Sequence, residues 1–96
     1  MDTNLIEIGT GATYSVGSDR YPATVVAKTA KTVTVQSDDF RAGEGHNYFG
    51  AQNWICTPNP NRPKTVLRWS EKRQRWIGNG CAYHIGHRSA YQNPSL

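Results

Sequence analysis

Apolar residues in this chain never repeat at the helical 3.6-residue spacing over three turns, and glycine or proline interrupts it about every ten residues. A long helix is thereby excluded. Short strands joined by turns are what the pattern allows. Ninety-six residues with a 36% apolar fraction make one domain, residues 1–96, with a small core. Such a core leaves little room for a deep enclosed site. A surface groove, or an interface with a second copy of the chain, is the functional surface to expect.

The strands can be placed from alternation and turn residues. Leu5–Ile8 reads as a first short strand and Ala12–Val16 as a second. Tyr21–Lys28 and Lys31–Gln36 make the clearest hairpin, rich in β-branched residues, with Val33 and Val35 on its core face. Residues 37–52 hold Gly43, Gly45, Gly50 and four charges without alternation, which predicts a long loop, pinned near its end by Tyr48 and Phe49. Trp54–Cys56 returns to a strand. Pro58–Pro63 predicts a rigid turn outside any sheet. Lys64–Trp69 and Arg75–Ile77 form a second hairpin, and Cys81–Ile85 a last strand before a polar tail. Five to seven antiparallel strands in so short a chain predict an all-β fold: a small bent barrel, SH3-like or Tudor-like first and OB-like second.

Charge is concentrated rather than spread. The chain carries eleven Lys and Arg against seven Asp and Glu. Between Arg62 and Trp76 six basic residues face the single acid Glu71, while the rest of the chain is near neutral. Two of the three tryptophans lie in the same segment. Guanidinium groups pair with phosphates, and aromatic rings offer stacking faces, so this mixture suits a ligand with phosphates and bases. One tryptophan of the hairpin belongs to the core. Trp69 is expected to be the buried one and Trp76 the exposed one. At the turn Gly17–Pro22, Arg20 is a further phosphate contact, and Asp19 a residue to orient it or to accept from a ribose or base edge. His84–Arg88 followed by Tyr91 offers a second strip of cations and rings.

Metal and catalytic signatures are weaker. Cys81, His84 and His87 have Cys-x-x-His-x-x-His spacing, and Cys56 would complete four zinc ligands. Residues three apart on a strand face opposite sides, so this set converges only if the chain bends at Gly86. No Cys-x-x-Cys pair accompanies it, and no metal or other cofactor is expected. His84 and His87 could act as acid and base. The paired His-x-Ser/Thr motifs of two-histidine phosphodiesterases are missing, as are a phosphate loop and a Gly-x-Ser-x-Gly elbow. A binding protein, not an enzyme, is the expectation. No apolar stretch approaches the ~20 residues of a membrane helix, and no signal peptide is evident at the first residues. A cytosolic protein with two free thiols is expected.

Several strings resemble a family of small proteins encoded by bacteriophages and prophages. They are Gly9-Thr10-Gly11-Ala12-Thr13, Ser18-Asp19-Arg20, Ala23-Thr24-Val25-Val26 and Lys31-Thr32-Val33-Thr34-Val35-Gln36. They continue through Pro58-Asn59-Pro60-Asn61, Arg75-Trp76, Ile85-Gly86-His87-Arg88 and Tyr91 to Pro94-Ser95. The resemblance implies an accessory protein of the host cytoplasm, acting on host defence or nucleic-acid machinery. One such strategy is to sequester a cyclic or modified nucleotide signal without cutting it. Arg20, Arg68, Arg75 and Arg88 would then take phosphates, Trp76 and Tyr91 would stack on bases, and Asp19 would read a ribose or base edge. A DNA- or RNA-binding module using the same basic hairpin is the alternative. A further one is a module that occludes a host protein through Trp76, Tyr48 and Phe49.

Overall fold

A computed structural model describes residues 3–47 and 49–92. Tyr48 and the tail end at Asn93-Pro94-Ser95 lie outside the described residues. Among the described residues a 3-10 turn, Thr3–Leu5, precedes seven strands. These are β1 (Gly11–Val16), β2 (Asp19–Lys28), β3 (Thr32–Ala42), β4 (Trp54–Pro58), β5 (Lys64–Ser70), β6 (Arg75–Gly78) and β7 (Cys81–Ile85). Their order in the sheet is β2-β1-β7-β6-β5-β3-β4, and β2 pairs with β3 as well. Six strands therefore close into a small antiparallel barrel that follows chain order, and β4 hangs from β3 outside the closure. The expected small, bent all-β barrel is what the chain forms.

Alternation decides what fills it. The buried core is Ala12, Ala23, Val25, Val33, Val35, Leu67, Trp76 and Tyr83. Val33 and Val35 are inward as expected. Ala12 and Ala23 face each other across β1 and β2. Their small size leaves room inside the barrel for large rings. Those rings form one row inside the barrel: Tyr21 opposite Tyr14, Tyr14 opposite Tyr83, Tyr83 opposite Trp76 and Trp76 opposite Trp69. Tyr14 lies 5.1 Å from Tyr21 and 5.0 Å from Tyr83, and Trp69 meets Trp76 edge-on at 5.6 Å.

Three sequence expectations need correction. Leu5–Ile8 is no strand. Lys28 Nζ donates to the carbonyls of Thr3 and Ile6 (3.1 and 2.6 Å), and Thr3 Oγ1 donates to Thr29 O (2.6 Å). These side chains hold the polar backbone of the segment, so it needs no neighbouring strand. Second, the long loop starts later than residue 37. β3 runs on to Ala42 because Asp38–Ala42 pairs with β4, where Phe40 packs edge-on against Trp54 at 5.1 Å. Third, Pro58 ends β4 opposite Asp38 at the sheet's outer edge, where a missing N–H is harmless. The turn proper begins at Asn59, and Gln36 Nε2 ties it to β3 by donating to Pro60 O and Arg62 O (3.0 and 2.7 Å).

After β7 the chain bends at Gly86, whose φ of 110° suits glycine. Residues 86–92 then run as a strap over the outside of β1 and β2. Gly86 N–H donates to Gly11 O (2.8 Å). Thr13 Oγ1 donates to His87 O (2.5 Å) and accepts from Ser89 N–H (2.9 Å). Tyr91 exchanges both backbone hydrogen bonds with Arg20 (2.8 and 3.0 Å). Gly11 is needed beneath the strap, since a Cβ there would stand 2.8 Å from Arg88 Cβ. Among the described residues no helix is long and apolar enough to cross a membrane.

Candidate functional site

The inner row of rings dictates what lies outside it. With Tyr14, Tyr83 and Trp76 pointing inward, their strand neighbours point outward. Thr13 is paired with His84, Ala82 with Ile77, and Ser15 with Arg20. The same antiparallel register sets Arg75 level with His84. The strap adds His87 and Ser89. Together these residues bound a groove of about 610 Å³ over β6, β7 and β1, with Gln74 at the hairpin tip.

Arg20 and Arg75 both line this groove, and among the described residues no Asp or Glu does. Among the described residues the ion pairs join Arg62 to Asp39 and Arg88 to Asp38, leaving Arg20 and Arg75 outside them. The Arg20 guanidinium sits 5.5 Å from the centre of the Tyr91 ring, which steadies it by cation–π attraction. His84 and His87 face each other at right angles, ring centres 6.5 Å apart. Hydroxyls of Thr13, Ser15 and Ser89 add neutral hydrogen-bonding groups. The arrangement can hold an anion, and nothing in its lining repels one.

The structure brings only part of the expected site together. Arg20, Arg75 and Trp76 line the groove, and Tyr91 lies beneath Arg20. Trp76 corrects an expectation: it is 3% exposed, while Trp69 is the half-buried one. Both point inward because they are directly paired. Trp76 is flanked by Trp69 and Tyr83, whereas Trp69 lies one residue past the ladder that joins β5 to β3. An exposed stacking face on Trp76 is therefore gone. Arg68 occupies a separate hollow on the outside of β5 and β6. Asp19 stands at the β1–β2 turn, 3.4 Å from the Tyr21 hydroxyl, and does not line the groove.

Arg88 turns away from the groove. Its Nε lies 2.7 Å from Asp38 Oδ2, off the N–H axis, so the contact is an ion pair rather than a hydrogen bond. Its Nη2 donates to Thr24 Oγ1 (2.7 Å), and Thr24 Oγ1 donates to Asp38 Oδ1 (2.7 Å). Asp38 is wholly buried beneath the strap, with Arg88 as its counter-charge. Residue-level reading missed Asp38 and Thr24, because nothing local marks an acid in a strand as buried. Nearby, burial and then the negative charge of Asp38 push the Cys56 thiol above its usual range, with Arg88 opposing. The Tyr83 phenol is raised by burial, and further by Tyr14 and Cys81.

Both cysteines are free thiols. Gly86 does bend the chain and so gathers His84 and His87. Cys81, however, points into the barrel, and Cys56 lies on β4. Among the described residues no three His, Cys, Asp or Glu side chains are grouped to hold a metal ion. No family model, curated protein or solved structure matches the chain.

Proposed function

We propose that this protein binds a phosphorylated nucleotide in the groove over β6, β7 and β1, and holds it without transforming it. The observation that carries this reading is the convergence of Arg20 and Arg75, free of carboxylate partners, on one acid-free groove. Guanidinium pairs well with phosphate, and the groove's about 610 Å³ lies within the range of small-ligand sites. The hydroxyls of Ser15 and Ser89 would meet sugar or base edges. The resemblance to phage accessory proteins gives such binding a purpose: removal from solution of a nucleotide signal that a host uses against infection.

Calorimetry against cyclic di- and trinucleotides and ADP-ribose derivatives tests this. One ligand should saturate and be recovered intact after heat denaturation. Arg20→Ala and Arg75→Ala should each weaken binding roughly 10-fold to 100-fold, the scale of a charged hydrogen bond. Degradation of the bound nucleotide would overturn the holding role. Indifference of binding to both substitutions would overturn the site.

A further inference from the structure

We infer that the ligand is a short oligonucleotide carrying at least two phosphates, held across two neighbouring hollows; this rests on the nucleotide-binding reading above. Beside the groove lies a second hollow of about 570 Å³, on the outside of β5 and β6. Arg68 and Arg73 line it, both exposed, and among the described residues no Asp or Glu does. Trp69 lines both concavities. Four arginines thus divide two and two between neighbouring hollows. Among the described residues none of the four belongs to an ion pair.

The register makes the two hollows one track. Arg68 is opposite Ile77, and Ser70 is opposite Arg75. Arg68 and Arg75 are therefore diagonal neighbours on the same outer face, roughly 7–8 Å apart at the backbone. An outward row runs Arg68, Ile77 and Ala82, and then, one residue past the end of the β1–β7 ladder at Tyr14 and Tyr83, Ser15 and Arg20, across five strands. Four strand spacings give an arc of roughly 19 Å between its cationic ends. Its middle is built of Ile77, Ala82 and Ser15, small or apolar side chains that let a base approach. A nucleoside monophosphate carries a single phosphate and cannot occupy both ends. Phosphodiester-linked nucleotides carry separate phosphates, so that different arginines of the row can each meet one.

The test is calorimetry of the whole chain with nucleoside monophosphates, linear 5′-phosphorylated dinucleotides and cyclic dinucleotides of all four bases. The probes are compared on the natural chain, on Arg75→Ala and on the double substitution Arg68→Ala with Arg73→Ala. At least one dinucleotide should bind about 10-fold or more tightly than every monophosphate. The double substitution should remove that advantage, with an unaltered unfolding temperature showing that the fold is intact. Preference for the linear or the cyclic form would identify the source, and either supports the inference. Dinucleotides no tighter than monophosphates, or unaffected by the double substitution, would overturn it. Monophosphate binding lost in Arg75→Ala would then show that the groove still binds nucleotide. Absence of binding by every probe would overturn this inference, and the ADP-ribose derivatives and cyclic trinucleotides would then decide the nucleotide-binding reading by themselves.

Discussion

Arg88 shows how far a residue's partner can change its meaning. In the sequence it is one more cation in a basic strip. In the fold it neutralises Asp38, whose side chain has no exposure, while its own keeps 30%. Removing the cation leaves a buried charge without a counter-charge, so Arg88→Ala should lower stability by about 3–5 kcal/mol in chemical denaturation. Replacing the pair by Arg88→Met with Asp38→Leu should recover much of that loss. If Arg88→Ala instead leaves stability intact and abolishes ligand binding, Arg88 is a ligand contact after all. Trp69 and Trp76 carry a similar lesson. That one of them is core was legible from alternation. Which one was not, because it depends on the pairing register and on where β3 stops, and neither is encoded locally.

Among the elements, the two hairpins β2–β3 and β5–β6 were legible because β-branched alternation and turn residues agree there. The last five residues of β3 were not. Their strand is made by β4 and the contact of Phe40 with Trp54, a partner that no local pattern announces. The strap was equally hidden, since its hold on the barrel runs through Thr13 in β1. Thr13→Val removes an acceptor for Ser89 N–H and a donor to His87 O. It should lower stability by about 1–3 kcal/mol and speed amide exchange at Ser89 and at Tyr91, which bridges to Arg20. Exchange unchanged at both amides would mean the strap is held elsewhere. On β4, the raised Cys56 thiol should react with alkylating reagents more slowly near pH 7 than an unstructured cysteine, and catch up as pH rises.

Across the molecule, two groups should make stability fall on the alkaline side. Cys56 and Tyr83 both hold their protons more tightly when folded. The unfolded chain therefore releases protons first. Stability from these groups is complete below the ordinary thiol range, about pH 8.5. It falls as pH climbs through that range and through the ordinary phenol range near 10. Denaturation midpoints measured from pH 7 to 11 should decline, and a flat profile would mean that neither group is perturbed. The overall charge asymmetry was legible from sequence, but not its division into two hollows, which the barrel's curvature produces. The seam between β1 and β7 carries a consequence in time. It joins Ala12 to Ile85, so nearly the whole chain must be gathered before the barrel closes. Refolding in milliseconds to seconds is the expected pace for so non-local a fold. Thr13 and Ser15 lie on one side of this seam and Ala82 and His84 on the other, so the groove exists only after closure. A bound nucleotide should therefore slow unfolding while leaving the folding rate untouched.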